Sequence, residues 1–246
     1  MKKRIQWIAM AICIICCCTS CFDLQENLFL KNDGTGSFSF IVNIEQMKSF
    51  MGMFENTQQY EPDTNRNAKN NTILKNEFIT NIENVKLQLN KIPGIHHAIA
   101  INDTAKYNFG ISFDFNDISA LNLALNKLFN GDDTSKQTTT FFEYKDHQLT
   151  RLEALDTKSI LGKTSSLNTD NNSQNAHTIF DPKLLFNTAT YTATYEFENK
   201  IIHTQNTLSK VSNDNKKIFL QIHPFAAIKD STQPKQTIAN TITLKQ

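Results

Sequence analysis

Apolar and polar residues alternate in two segments of the chain, and a period of two is typical of β-strands with one buried face. Residues 38–44 carry Phe, Phe, Val and Ile at every second position, and residues 107–115 repeat the pattern with Tyr, Phe, Ile, Phe and Phe. The Asp33-Gly34 pair before the first segment favours a tight turn, because glycine adopts positive φ angles without strain. Residues 26–44 are therefore predicted to form a β-hairpin.

Two further hairpins follow from the same kind of pattern. Residues 95–115 are predicted to form the second, with its turn at Asn102-Asp103. Residues 141–152 are predicted to form a third, shorter hairpin around Asp146-His147.

The spacing of apolar residues changes to three and four in the segments that are predicted to be helical. The clearest stripe runs over residues 72–92 and ends at a Pro-Gly pair. A second helix is expected over residues 118–131, and either Asn116 or Asp117 can cap its N-terminus. A short third helix is predicted at residues 47–54.

The last third of the chain differs in composition from the rest. Residues 156–178 are rich in Ser, Thr, Asn and Gln, which indicates a linker or a long surface loop. Residues 21–155 are expected to form an α+β module, and residues 179–246 are expected to be rich in β-structure. The sequence favours neither one domain nor two for these parts. The predicted fold class is α+β, with a mainly antiparallel β-sheet and two or three helices packed on one face. The late strands are predicted at residues 190–198, 201–205, 217–222 and 237–244.

The N-terminus has the layout of a secretory signal. Residues 2–4 are Lys-Lys-Arg, residues 5–18 form an apolar run interrupted only by Gln6, and residues 19–21 are Thr-Ser-Cys. The segment resembles the signal peptide of bacterial lipoproteins, which is removed before a cysteine that receives lipid. The resemblance implies that residues 1–20 are a signal peptide and that Cys21 is lipidated, the only functional residue that the sequence assigns.

A membrane-spanning anchor that is never cleaved is the alternative for this segment. Its apolar run spans 14 residues, whereas a helix needs about 20 residues to cross a bilayer. Other cysteines precede Cys21, but a bulky apolar residue or another cysteine stands before each of them. They are Cys13, Cys16, Cys17 and Cys18.

Removal of the signal changes the composition of the remaining chain. All 5 cysteines lie at or before Cys21, so the mature chain has no disulfide, zinc–thiolate site, iron–sulfur cluster or catalytic thiol. The full chain has 25 basic and 24 acidic residues; without Lys2, Lys3 and Arg4 the basic count is 22, which gives a net charge of 22 − 24 = −2. Such a chain gives no reason to expect nucleic-acid binding.

No catalytic, metal-binding or cofactor motif is found in the sequence. There is no nucleophile elbow and no glycine-rich phosphate loop, and the histidines do not have the spacing of metal ligands. We therefore name no catalytic residue, no metal ligand and no cofactor. The patterns that we interpret as turns or solvent-exposed charges are Asp33-Gly34-Thr35-Gly36, His96-His97, Asp132-Asp133 and the pair Glu196 and Glu198.

The alternating aromatic segments allow a second interpretation. Residues 38–44 and 107–115 are expected to fill a packed core, but they would line a ligand cavity if their strands curled around a pair of helices.

Residues 21 to about 130 resemble uncharacterised envelope lipoproteins of the LppM-like group. The features that carry the resemblance are the cysteine, the hairpin with its Asp-Gly-Thr-Gly turn, and the strand at residues 107–115 that leads into a helix. The resemblance implies a surface or periplasmic module with an amphiphile as a possible ligand. The lipoprotein signal and the absence of catalytic motifs predict a lipid-anchored, non-enzymatic binding or assembly module, with an envelope protein or an amphiphilic ligand as partner. Phe22 after the cysteine favours the outer membrane by resemblance to lipoprotein sorting rules. The alternative is an envelope hydrolase whose site is assembled from distant Asp, Glu or His residues.

Overall fold

The computed structural model describes residues 23–45, 80–130, 138–152, 189–224 and 236–246. These residues form eleven strands and two helices. In chain order they are β1 (Asp23–Leu30), β2 (Gly36–Asn43), α1 (residues 80–89), β3 (Ile95–Asp103), β4 (Asn108–Phe115), α2 (Ile118–Asn130), β5 (Phe142–Lys145), β6 (Gln148–Arg151), β7 (Thr190–Phe197), β8 (Ile201–Thr204), β9 (Lys210–Val211), β10 (Lys217–Ile222) and β11 (Asn240–Leu244).

The strands form two sheets. The large sheet has seven strands in the order β3-β4-β2-β1-β7-β10-β9, and the small sheet has four in the order β5-β6-β11-β8. All strand pairs are antiparallel except β1 and β7, which are parallel. The prediction of an α+β fold with mainly antiparallel sheets is confirmed. The parallel pair also places the early and the late parts of the chain side by side in one sheet.

The inner face of the large sheet is apolar and faces the helices and the small sheet. The alternation predicted for β4 is confirmed, because Phe109, Ile111, Phe113 and Phe115 are all buried. The aromatic rings pack directly on one another: the ring centre of Phe38 lies 5.5 Å from that of Phe113 and 6.4 Å from that of Phe142. In the described part of the chain, these strand faces therefore contribute to a packed core, the first of the two interpretations.

Two of the three predicted hairpin turns lie where the sequence placed them. At the first, Gly34 has a φ of 85°, and the Asp33 carboxylate accepts a hydrogen bond of 2.9 Å from the backbone N–H of Thr35. That bond, with a second one from the Thr35 hydroxyl, lowers the pKa of Asp33. At the third, Asp146 and His147 both have positive φ, 50° and 59°, as a two-residue hairpin turn requires.

The second hairpin turn lies further along the chain than predicted. Strand β3 continues through Asp103, and the turn is formed by residues 104–107. The Asp103 carboxylate accepts 3.1 Å hydrogen bonds from the backbone N–H groups of Ala105 and Lys106. Asp103 therefore stabilises the turn from its last strand position, which is a common role of aspartate before a turn.

Helix α2 begins as predicted. The Asp117 carboxylate accepts a 2.8 Å hydrogen bond from the backbone N–H of Ala120 and so caps the helix. Leu121 and Leu125 are fully buried, and the helix packs against β3, β4 and β5. Helix α1 is described from residue 80 and contributes Leu89 to the core.

The late strands agree with their predicted positions, whereas the sequence pattern did not predict the two-residue strand β9.

Three predictions fall outside the described residues: the signal peptide with Cys21, the short helix at residues 47–54 and the segment 156–178. Neither described helix has the length and apolar character that crossing a bilayer requires.

Candidate functional site: a buried ion pair and an adjoining cleft

An ion pair joins the two sheets at the centre of the core. Glu26 on β1 and Arg151 on β6 have side chains that are 0% exposed. The guanidinium is bidentate on the carboxylate, with Nε 3.0 Å from Oε1 and Nη2 2.9 Å from Oε2. Two parallel N–H···O bonds of this kind fix the orientation of both side chains.

Strand β7 supplies two more hydrogen bonds to the same carboxylate. Glu26 is opposite Ala193 in the parallel register, so Tyr191 and Tyr195, two residues to either side, project from the same face of the sheet. The Tyr195 hydroxyl donates to Oε1 at 2.6 Å, and the Tyr191 hydroxyl donates to Oε2. Each carboxylate oxygen of Glu26 therefore accepts one hydrogen bond from arginine and one from tyrosine.

The rest of the guanidinium is also held by its surroundings. Nη1 of Arg151 donates to the backbone carbonyls of Leu152 at 2.7 Å and Phe141 at 3.4 Å. The guanidinium carbon lies 4.8 Å from the ring centre of Phe142, a cation–π distance. The charge of Arg151 is thus compensated by a carboxylate, two carbonyls and an aromatic face.

The electrostatics keep this cluster in one protonation state. Burial raises the pKa of Tyr191 and Tyr195 well above the usual value, and the negative charge of Glu26 adds to the rise. Burial is the largest single effect on Arg151 and lowers its pKa, but the charge and hydrogen bonds of Glu26 together with the two tyrosines outweigh burial, so the pKa of Arg151 is raised. The guanidinium of Arg151 therefore stays charged, and the phenols of Tyr191 and Tyr195 stay neutral.

A cleft of about 560 Å³ adjoins Arg151 at one end of the small sheet. Its walls are the end of β6 with Leu152, the start of β11, the loop that follows β8 and the segment before β11. That volume lies within the range of ligand pockets, about 300–1,000 Å³. The lining includes residues 150–152, 205–208, 236, 237 and 239–241.

The charged residues and histidines singled out in the sequence lie in several places, as far as the structure describes them; Asp132-Asp133 lies outside the described residues. His97 lies at a bulge of β3 with a φ of 49°, and its Nδ1 is 2.9 Å from the carboxylate of Asp114. Glu196 pairs with Lys217 at 2.8 Å, while Glu198 accepts a hydrogen bond from the backbone of Asn32. Within the described ranges, no three His, Cys, Asp or Glu side chains are grouped closely enough to hold a metal ion.

Sequence reasoning did not single out Glu26 or Arg151. A signal was present for Glu26, because it occupies a buried position of β1 between Leu24 and Leu28, where an apolar residue is the rule. Arg151 likewise follows the buried Leu149 at a period of two. A charged residue on an apolar strand face predicts a buried partner, but the pattern does not say which one.

Comparisons with known proteins give a distant structural likeness. Neither a scan against models of protein families nor a search of curated proteins found a match. The chain is similar to the folded domain of the Mycobacterium tuberculosis LppM protein, solved by NMR, with a TM-score of 0.38, 8% sequence identity and 92% of each chain covered. A protein of the LppM-like group is thus among the similar solved structures, but similarity this low shows neither a shared family nor a shared function.

Replacing Arg151 with methionine should destabilise the protein by about 3–5 kcal/mol, because the carboxylate of Glu26 would stay buried without its counter-charge. Lys217→Met is the matched control, since the Lys217–Glu196 pair is 36% and 47% exposed and a surface pair contributes about 0–1 kcal/mol. Urea unfolding followed by circular dichroism measures both. Equal losses in the two variants would contradict a special role for the buried pair.

The two buried phenols should make the protein sensitive to alkali. Their folded pKa values are raised, so their contribution is fully present below about pH 10, the pKa of an unfolded tyrosine. Above that pH, unfolding releases protons that the folded state retains, and stability should fall by about 1.4 kcal/mol per pH unit for each phenol. Urea unfolding between about pH 9 and pH 11 measures this slope.

Tyr191→Phe and Tyr195→Phe should each reduce the alkaline slope. Measurement of the same variants at neutral pH separates this effect from the loss of a hydrogen bond to Glu26. Variants that keep the wild-type slope would show that neither phenol is protected from ionisation.

Proposed function

We propose that this chain is a lipid-anchored protein of the bacterial cell envelope, located in the outer membrane, whose folded part is a non-enzymatic binding or assembly module. The observation that carries the proposal is the position of β1. This strand begins at Asp23, two residues after the predicted lipid site Cys21, and it is the middle strand of the seven-stranded sheet. A lipid at Cys21 would therefore be joined to the centre of the fold.

The short connection sets the distance between the fold and the bilayer. Two residues span at most about 7 Å, so the end of the sheet at Asp23 would stay close to the lipid headgroups. The eight residues of β1 extend over about 26 Å. The turn at residues 31–35 would therefore face away from the membrane.

The first strand is well suited to hold such an anchor. Asp23, its first residue, accepts a hydrogen bond from the Thr190 hydroxyl of β7. Three residues later, Glu26 is held by Arg151 and both tyrosines. Because β1 is paired on both sides, it cannot be peeled from an edge of the sheet.

The alternative, an envelope hydrolase, needs accessible acidic or basic groups that converge on one point. In the part of the chain that the structure describes, the carboxylates of Glu26, Glu196 and Glu198 are engaged by arginine, lysine and a backbone N–H group. The open cleft is instead lined mainly by uncharged residues. Binding is therefore the function that we propose, with an envelope protein or an amphiphilic molecule as partner.

Cys21→Ala should move the protein from the membrane fraction to the soluble fraction, since a fully acylated cysteine gains about 0.8 kcal/mol for each methylene that it buries in the bilayer. Cys18→Ala is the matched control and should leave the protein in the membrane. Fractionation and mass spectrometry of the mature N-terminus measure the result. A Cys21→Ala protein that still sediments with membranes would contradict the anchor.

The proposed orientation can be measured with single-cysteine probes, because the mature chain contains no other free thiol. Lys106→Cys lies in the turn at the Asp23 end of the sheet, and Lys31→Cys lies at the opposite end; both positions are exposed. A fluorophore at position 106 should be quenched by a contact quencher attached to lipid headgroups, whereas one at position 31 should not. Equal quenching at both positions would contradict an upright sheet.

A further inference from the structure

We infer that the cleft at the end of the small sheet binds an uncharged saccharide. The inference rests on the proposal that the folded part is a binding module, and it goes beyond the two kinds of partner proposed above. It rests on four properties of the cleft: its charge, its unpartnered polar groups, its preformed wall and the position of its strands in the sheet.

The described residues that line the cleft offer no free charge to a ligand. Arg151 is the single ionisable residue among them, and its side chain is fully buried and neutralised by Glu26. A charged ligand would lose its hydration without gaining a counter-charge, which is costly. An uncharged ligand does not meet that cost.

Four polar side chains line the cleft without a hydrogen-bond partner among the described residues: Thr150, Thr241, Gln205 and Thr207. Thr150 and Thr241 are opposite each other in the β6–β11 register, so they form a pair on one face of the sheet. A threonine hydroxyl donates and accepts, and a glutamine amide does both with separate atoms. Sugar hydroxyls also donate and accept, so they match these groups.

The wall of the cleft is held in place before any ligand binds. Nδ2 of Asn206 donates to the backbone carbonyls of Thr237 at 3.1 Å and Ala239 at 2.9 Å. Oδ1 of the buried Asn240 accepts a 2.9 Å hydrogen bond from the backbone N–H of Asn206. A preformed site loses less conformational entropy on binding.

Leu208, which is 46% exposed, adds apolar surface that can cover the C–H face of a sugar ring.

The position of the strands disfavours an extended peptide. A peptide that adds to a sheet needs an edge strand with unpaired backbone groups. Strands β6 and β11 are the two inner strands of the order β5-β6-β11-β8, and each is paired on both sides. The cleft therefore presents side chains and not a free strand edge, which favours a compact polyol over a peptide.

The full chain should be titrated by isothermal calorimetry in a detergent without a sugar headgroup, so that the detergent does not compete. The probes are neutral oligosaccharides of hexose and of N-acetylhexosamine, and an uncharged hydrophilic peptide. We expect saturable binding of at least one neutral oligosaccharide and none of the peptide. Gln205→Ala and Thr207→Ala should each weaken saccharide binding roughly fivefold, the effect of losing one hydrogen bond.

Gln221→Ala is the matched control, because Gln221 is an exposed glutamine of β10 in the large sheet, away from the cleft lining; it should bind as tightly as wild type. The absence of saturable binding up to millimolar saccharide, or unchanged affinity in the two cleft variants, would overturn the inference. Peptide binding that the cleft variants weaken would also overturn it, yet would support a binding module. Since the assay uses detergent, its result is independent of the Cys21 anchor.

Discussion

The Glu26–Arg151 ion pair is the interaction on which the arrangement of the two sheets depends. Moving two charges into a core costs several kcal/mol for each ion, so such a pair contributes little net stability compared with apolar residues. Its effect is geometric. The bidentate contact and the two tyrosine hydroxyls are satisfied in one relative position of β1, β6 and β7. Apolar packing alone tolerates a shift between sheets, whereas a shift here would leave a charge buried without its partner.

Local pattern was sufficient for most of the elements but not for their assembly. The alternation in residues 107–115 and the positive-φ turn at Asp146-His147 depend on neighbours in the sequence, and both are present. The parallel pairing of β1 with β7 joins residues more than 160 positions apart, for example Asp23 with Thr190. The alternation within a strand specifies which face is buried, but it carries no information about which strand lies alongside.

Less of the candidate site than of the fold could be predicted from the sequence. Glu26 carried a signal, as a charge on an apolar strand face, but Arg151 is one of 25 basic residues and no local feature marks it as the partner. The cleft is assembled from three separate segments, and each of them resembles an ordinary polar strand end or loop. Its uncharged character becomes visible once the structure shows that the charge of Arg151 is directed into the core.

Strand β1 connects the features that bear on the proposed function. Its first residue follows the predicted lipid site by two positions, and its fourth residue, Glu26, holds Arg151, whose neighbours Thr150 and Leu152 line the cleft. The path from the proposed anchor to the cleft would therefore run along one strand, paired on both sides, and through one bidentate contact. No flexible linker lies within the part of this path that the structure describes, Asp23 to Leu152 through the ion pair. A ligand in the cleft would consequently be held at a fixed distance from the bilayer, which distinguishes this arrangement from a module that is suspended on a long tether.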